Sequence, residues 1–217
     1  MPRTHEQNEA IRLQRSNEIL KAAIEVYADK GYVAAEINEI SEKAGLAKGL
    51  VYYYFKSKKA LFQAMVGYAQ ELSREFFEQH FQQGDSVDDK LKRVILALYE
   101  SVLADDVELQ LFMRLQYEVN LIFEDQNGYD KREDMIFEPL QKVIQRGIDE
   151  GIFRSCSAKL LTLQFWGALS HGLMYIFEKH KELVGRNKAK EEIIRLLEED
   201  IQFVSDCCMD LLMDRRH

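Results

Sequence analysis

The chain has 217 residues, with 29 lysines and arginines against 37 aspartates and glutamates, so its formal net charge is −8. Hydrophobic residues make up 47% and charged residues 30%, a balance that excludes an intrinsically disordered chain. The acidic total also argues against nucleic acid as a partner, because affinity for nucleic acid depends on neutralising phosphates.

The residue types present predict an all-α fold. Only two prolines and two threonines occur and the 11 glycines are scattered, whereas sheet proteins need β-branched residues and frequent turns. Cys156, Cys207 and Cys208 form no Cys-x-x-Cys spacing, which argues against a disulfide framework or a zinc site. The polar first 14 residues resemble no signal peptide. We therefore expect a cytoplasmic protein that needs no cofactor or metal.

Apolar residues recur at three- and four-residue steps through most of the chain, which predicts about nine helices. The first four predicted helices are one ending at Gly31, one from Ile37 to Gly45, one over Lys48–Phe55 and a long one from Lys58 to about Gln83. Next come a helix capped by Ser86, a helix over Leu109–Phe123 and a polar loop over Glu124–Asp134. The last predicted elements are a helix from around Pro139 to Gly151 and two helices over Ala158–Lys179 and Lys188–Asp214. The apolar stretch around Leu160–Phe177 is interrupted by polar residues and is interpreted as a buried helix rather than a membrane span.

The charge is divided unevenly along the chain. Residues 1–60 carry a net charge of +2 and the remaining residues carry −10. The chain therefore combines a mildly basic N-terminal unit with an acidic body, an asymmetry that is compatible with nucleic-acid binding by the first unit.

The segment INEISEKAGLAKGLVYYYFK, residues 37–56, has the pattern of a helix-turn-helix. The helix crossing would be formed by the apolar residues Ile40, Leu46, Val51 and Tyr54. The small residues Ser41 and Ala44 suit a close backbone approach, and Gly45 suits the turn. Lys48, Tyr52 and Tyr53 would then face outward, where they suit contact with phosphates and base edges. The alternative is an ordinary helix pair whose aromatic residues belong to a core.

Residues 19–62 resemble the DNA-binding domain of the TetR family of bacterial regulators, most specifically in the run GLAKGLVYYYFKSKKALF. The later run EPLQKVIQRGIDEGIFR is similar to the turn before the family's last two helices. The resemblance implies a three-helix DNA-binding domain over residues 1–58 and a ligand-binding and dimerisation domain over residues 59–217. Residues 1–15, with Arg3, Arg12 and Arg15, form either a minor-groove arm or a disordered tail.

The resemblance also implies DNA contacts at matching positions. These are Asn38, Lys48, Gly49, Leu50, Tyr52, Tyr53, Tyr54 and Lys58. The sequence departs from the family where it has Ala35 and Glu36 in place of the usual threonine, and where Leu50 replaces a small polar residue. A carboxylate at position 36 would repel a phosphate, although it suits the first turn of a helix.

The last two predicted helices suggest a dimer face. Apolar residues predicted for a four-helix bundle between two subunits are Phe165, Leu169, Leu173, Ile193, Leu197, Ile201, Val204 and Cys208. Gly167 and Gly172 would permit close approach of the helices. The alternative is that these residues form only a core within one chain.

A small-molecule pocket is expected in the body, chiefly from the resemblance. The candidate lining residues are Phe112, Gln116, Tyr117, Asn120, Trp166 and His171. The alternatives are plain hydrophobic packing and, for His171, a satisfied core histidine.

These expectations combine into one function. The chain is predicted to be a homodimeric transcriptional repressor, released from a pseudo-palindromic, double-stranded operator by a small hydrophobic effector, with no membrane partner. An enzyme is not expected, because no HExxH, GxSxG, GxGxxG or P-loop motif occurs. A helical protein-binding adaptor that has lost DNA contact is the other alternative.

Overall fold

A computed structural model describes residues 5–81, 86–104, 106–123 and 137–213. Nine α-helices of seven or more residues and no strand occur among these residues, which confirms the all-α prediction. The helices are α1 (His5–Ala34), α2 (Ile37–Lys43), α3 (Lys48–Tyr54), α4 (Lys58–His80), α5 (Val87–Leu103), α6 (Val107–Ile122), α7 (Glu138–Asp149), α8 (Ala158–Gly185) and α9 (Lys190–Leu212). The loop predicted over residues 124–134 lies outside the described residues.

Contacts divide the chain into two compact units. Unit 1 comprises residues 1–71 and 110–131, and unit 2 comprises residues 72–109 and 132–217. The sequence-based division after residue 58 assigned all of α6 to the C-terminal body. The contacts instead group most of α6 with the N-terminal helices, a long-range association that local sequence patterns do not reveal.

The core of unit 1 is built around α1. Ile19, Ala23 and Tyr27 are fully buried on one stripe of this helix, at the three- and four-residue spacing of the sequence. The helix is broken at Gly31, whose φ of 74° and ψ of 178° are not helical, as expected for the predicted helix end. Residues 5–15 are helical, so the predicted disordered tail is wrong over that range, and the minor-groove arm stays a prediction. Arg3 lies outside the described residues.

Unit 2 is formed by α5, α7, α8 and α9. The Ser86 hydroxyl accepts a hydrogen bond from the Asp89 N–H and caps α5, as predicted. Helix α8 is long and apolar enough to cross a membrane by length and composition, and half of its most apolar window is buried inside the protein. A core helix of a globular protein has the same composition, and α8 packs against α5, α7 and α9.

The connection from α7 to α8 depends on two glycines and a phenylalanine. Gly151 ends α7 with a φ of 72°, and Phe153 folds back to be almost fully buried. A Cβ atom on Gly147 would lie 2.1 Å from the Phe153 ring, so only glycine fits there. Arg154 then caps the end of α9, because its N–H donates to the Leu212 carbonyl at 2.8 Å.

The residues predicted for the dimer face lie mainly inside unit 2. Six of the eight are buried within the single chain, namely Phe165, Leu169, Leu173, Ile193, Leu197 and Cys208. The other two, Ile201 and Val204, are half-buried. The physical reason is that the apolar stripe of α9 packs against α8 of the same chain. Burial accordingly raises the pKa of the Cys208 thiol to about 12.

Close contact between α8 and α9 requires Gly172. A Cβ atom there would lie 2.3 Å from Val204 Cγ1, whereas nothing lies within 4 Å of a Cβ atom on Gly167. The Lys179 ammonium and the Asp200 carboxylate join the same two helices at 2.5 Å, and this contact raises the pKa of Lys179. The expectation of close approach thus applies to Gly172, within one chain.

We predict that Gly172→Ala lowers the free energy of unfolding by about 1 to 3 kcal/mol, because the added methyl group overpacks the contact with Val204. Gly167→Ala is the matched control on the same helix and should leave stability unchanged or raise it by up to about 1 kcal/mol. Urea unfolding followed by circular dichroism measures both. The double variant Gly172→Ala/Val204→Ala should recover part of the loss; equal stability of the two single variants would contradict the interpretation.

Candidate nucleic-acid interface

The turn between α2 and α3 has the geometry of a helix-turn-helix. Gly45 has a φ of 67°, its N–H donates to the Glu42 carbonyl at 3.0 Å, and the Leu46 N–H donates to the Ser41 carbonyl at 2.9 Å. These two bonds are the pattern in which a helix ends on a left-handed residue. The turn predicted at Gly45 is therefore present, and it sets the direction in which α3 leaves α2.

The crossing of α2 and α3 is held by buried residues. Ile40 and Val51 are fully buried and Ser41 is 3% exposed, which allows the two backbones to approach. Leu46 and Tyr54 are half-buried at the edge of this contact. Ile40, Leu46, Val51 and Tyr54 were predicted at the crossing and Ser41 at the close backbone approach. Their burial fixes which face of α3 remains open.

The open face of α3 carries two tyrosines and a lysine. Tyr53 is 65% exposed and Tyr52 41% exposed, unusually high values for aromatic side chains, and Lys48 is also exposed. The Tyr53 ring contacts Tyr54 edge-on with ring centroids 5.3 Å apart, and Lys56 Nζ lies 5.6 Å from the Tyr53 centroid. Exposed aromatic rings flanked by ammonium groups suit contact with base edges and phosphates.

The other predicted DNA-contacting residues lie nearby with different exposure. Gly49 and Asn38 are exposed, and the Asn38 amide donates to the Glu42 carboxylate at 2.7 Å. Leu50 and Tyr54 are only half-buried. Asn38 must exchange its bond to Glu42 for any contact with DNA.

Lys58 is engaged by the end of α1. Its ammonium donates to the Val33 carbonyl at 3.0 Å and lies 5.0 Å from the centroid of the Tyr32 ring. Partial burial lowers the pKa of Lys58, while the nearby Glu36 carboxylate acts in the opposite direction. The ammonium has three donors, so its bond to Val33 leaves donors for a phosphate.

Two ion pairs neutralise lysines of α1 and α2 and leave Lys48 at the start of α3 as a source of positive charge. Lys30 pairs with Glu39 at 2.7 Å and Lys43 pairs with Glu25 at 2.8 Å, so these lysines are already neutralised. Lys48, in contrast, pairs with no carboxylate among the residues that the structure describes. The small net charge of the first 60 residues therefore understates the charge beside α3.

Ala35 and Glu36 depart from the family pattern, and the structure explains only Ala35. Ala35 is 1% exposed, so a larger side chain would need space that the core does not leave. Glu36 is the N-cap of α2, but its side chain makes no capping hydrogen bond. The capping role of the family's threonine is therefore unfilled here.

Sequence reasoning missed the residues of α6 that hold the broken end of α1. Arg114 donates to the Ala28 and Asp29 carbonyls, both at 2.8 Å, and Glu118 accepts from the Tyr32 N–H at 2.9 Å. These carbonyls are free because the break at Gly31 removes their helical donors. We call this arrangement of Arg114 and Glu118 the α1 clamp. Its partners are about 86 positions apart in the sequence, so no local signal could have revealed them.

The predicted ligand residues are divided between the two units. In unit 1, Phe112 is half-buried and Tyr117 and Asn120 are exposed, while the Gln116 side chain lies outside the described residues. In unit 2, Trp166 is half-buried and His171 is exposed, with its Nδ1 atom 2.8 Å from the Gly167 carbonyl oxygen. Their grouping into one pocket stays a prediction.

Comparisons with known proteins match the first part of the chain to a family. The family described as bacterial regulatory proteins, tetR family, matches residues 19–65. The fatty acid metabolism regulator protein of Bacillus subtilis is 33% identical over 103 residues, which are 46% of this chain and 50% of that protein. The chain spans 33% to 50% of the length of the first curated relatives it matches.

Solved structures share the fold over nearly the whole chain. FadR of Bacillus subtilis, in complex with stearoyl-CoA, has a TM-score of 0.62 at 21% identity, covering 93% of this chain and 99% of that one. FadR of Bacillus halodurans, a fatty acid degradation regulator, has a TM-score of 0.64 at 20% identity, covering 94% and 97%. These structures and the geometry of α2 and α3 together define the fold of a helix-turn-helix protein. The predicted resemblance to the tetR family is thereby confirmed over residues 19–65, and the relatives that the chain matches are regulators.

We predict that Gly31→Ala destabilises the protein by about 2 kcal/mol, because alanine is strained at a φ of 74° and its Cβ atom would lie 2.7 Å from a Glu118 carboxylate oxygen. Gly67→Ala, on a glycine in α4 with nothing within 4 Å, is the matched control and should be neutral or stabilising. Thermal unfolding of the two variants measures the difference. A Gly31→Ala protein as stable as the control would show that the α1 clamp is dispensable.

Proposed function

We propose that the protein is a cytoplasmic, homodimeric transcriptional regulator that represses from a pseudo-palindromic operator and is released by a small hydrophobic ligand. The observation that carries this proposal is the open face of α3, where Lys48, Tyr52 and Tyr53 are exposed on a helix whose other face is buried. In a helix-turn-helix protein the second helix enters the major groove.

The exposure of aromatic rings to water favours a binding partner on the open face of α3. Tyr53 exposes most of its ring to water although buried sites for aromatic residues exist in the same unit, such as that of Tyr27. Burying an aromatic ring against a base edge or a thymine methyl group recovers hydrophobic free energy, and the phenolic hydroxyl retains a hydrogen bond. Lys48 adds a phosphate contact without first breaking an ion pair.

Dimerisation would supply the affinity that one subunit lacks. The net charge of +2 on residues 1–60 is modest, and two recognition helices about 34 to 36 Å apart would double the contacts. A dimer face in unit 2 is supported by large apolar side chains that remain exposed on α8 and α9. They include Leu160, Tyr175, Leu196 and Phe203. We propose these exposed residues as the dimer face, in place of the apolar stripe of α9 that is buried against α8 of the same chain.

Release by ligand would use the α1 clamp. Helix α6 carries Phe112, a candidate ligand residue, as well as Arg114 and Glu118, which hold the end of α1. A ligand that favours another position of α6 would therefore shift the helices that support α3. The FadR structure in complex with stearoyl-CoA shows that a protein of this fold accommodates a hydrophobic ligand, which supports a hydrophobic effector here. A coupling of about 1 to 3 kcal/mol is sufficient for regulation.

We predict that Tyr53→Ala lowers affinity for a duplex selected from a random library at least tenfold, because base contacts are lost, with little change for unrelated DNA. Lys48→Gln should instead weaken binding to all duplexes and reduce the salt dependence by about one ion per subunit, because a phosphate contact is lost. Fluorescence anisotropy at several salt concentrations measures both effects.

The control is Lys142→Gln, which removes an exposed lysine on α7 that is paired with Glu138 at 2.6 Å. It should bind DNA as the unmodified protein does. Failure to select any duplex would refute DNA binding and favour the alternative of a protein-binding adaptor.

We predict that Phe203→Glu raises the dimer dissociation constant at least tenfold, because a carboxylate would be buried in place of a ring that is 69% exposed in the single chain. Sedimentation velocity at micromolar concentrations measures the dimer fraction. Leu96→Glu, at a 54% exposed leucine of α5, is the control and should not change it. A protein that is monomeric without any substitution would sink the proposed dimer.

A further inference from the structure

A cavity of about 330 Å³ lies within unit 2, where the ends of α5 and α8 meet the start of α9. One part of its lining is apolar and is formed by Leu103, Val184 and Ile193. The other part is formed by His180, by Lys188 of the α8–α9 connection and by Lys190, the first residue of α9. The lining of the cavity thus combines apolar side chains with hydrogen-bonding and cationic groups. None of the residues predicted for the ligand pocket lines it.

His180 is a buried polar residue with one unpaired ring nitrogen in the described part of the chain. Its side chain is 9% exposed, and its Nδ1 atom makes no hydrogen bond within the described part of the chain. Two other histidines in helices behave differently, since Nδ1 of His171 lies 2.8 Å, and Nδ1 of His80 2.7 Å, from the carbonyl oxygen four residues earlier. A buried nitrogen left unpaired destabilises the fold, so a site for a hydrogen-bonding ligand accounts for its retention.

The start of α9 adds an anion-binding element to the same cavity. The N-cap residue Ala189 has no side chain that could accept from the first N–H groups of this 23-residue helix. Lys188 is held by Glu192 at 2.7 Å, but Lys190 pairs with no carboxylate in the described ranges. An ammonium group beside the positive end of a helix dipole favours a negatively charged ligand group, although Glu191 and Glu192 in the same turn reduce the net charge.

We propose that this cavity binds a small amphipathic carboxylate. Its apolar chain would lie against Leu103, Val184 and Ile193, and its carboxylate would accept hydrogen bonds from Lys190 and the first N–H groups of α9, with His180 beside it. The volume is at the lower end of the range for small-molecule sites, which limits the ligand to a short chain. The site is additional to the proposed effector pocket and does not depend on DNA binding.

The test is a titration of the full chain, labelled at the histidine rings, with sodium octanoate, followed by nuclear magnetic resonance. The His180 signal is assigned with His180→Asn. Octanoate should shift this signal and bind at least tenfold more tightly than 1-octanol, which has the same chain without the charge. Inorganic phosphate, which has charge without a chain, should also bind at least tenfold more weakly.

Lys190→Gln should raise the octanoate dissociation constant at least fivefold. The matched control is Lys181→Gln, on an exposed lysine of α8 whose Nζ atom lies 4.4 Å from the Phe177 ring, and it should have no effect. Because Lys190 is exposed, its variant is expected to fold even if His180→Asn does not; circular dichroism checks this. Octanoate binding that leaves the His180 signal unmoved, equal affinity for octanol or phosphate, or an unchanged constant in Lys190→Gln would each overturn the site without affecting the proposed regulatory function.

Discussion

The break of α1 at Gly31 is the feature on which the arrangement of unit 1 depends. A left-handed residue inside a long helix leaves backbone carbonyls and an N–H group without helical partners, and buried polar groups of this kind must be paired. Arg114 and Glu118 from α6 pair them, and Lys58 from α4 pairs the Val33 carbonyl where α1 ends. The break and the end of α1 therefore join α6 and α4 to the helix that supports the recognition segment. Burial of Tyr27 beside Glu118, which raises the pKa of that tyrosine, keeps its phenol neutral at this junction.

Burial and charge pairing within unit 1 define the recognition surface on α3. The open face of α3 is defined by what is buried on its other face, since Val51 and Ile40 fill the crossing and leave Tyr52 and Tyr53 in water. Charge follows the same division, because Lys30 and Lys43 are paired with carboxylates while Lys48 pairs with none among the described residues. An acidic chain can thus present a local cationic and aromatic surface, and its total charge of −8 describes mainly the C-terminal body.

Helix positions were predictable from the sequence because they depend on local signals. The glycines at 31, 45 and 151 have positive φ where helices break or end, and Ser86 caps α5 through a bond to a residue three positions away. The partner of an apolar stripe is not a local property. The spacing on α9 suits a helix of the same chain or of another chain equally well, and only the contact of Gly172 with Val204 decides for the same chain. That decision moves the proposed dimer face to the residues left exposed.

The sequence by itself determined the all-α class, the helix-turn-helix and its outward lysine and tyrosines, since each follows from periodicity, a turn glycine and a specific motif within about 50 residues. The tertiary structure alone decided which polar groups pair over long distances. It revealed the α1 clamp, the engagement of Lys58 by Val33 and the unpaired His180 beside the start of α9. The physical reason is that such pairing is fixed by where helices cross in space, and neither composition nor spacing encodes that position.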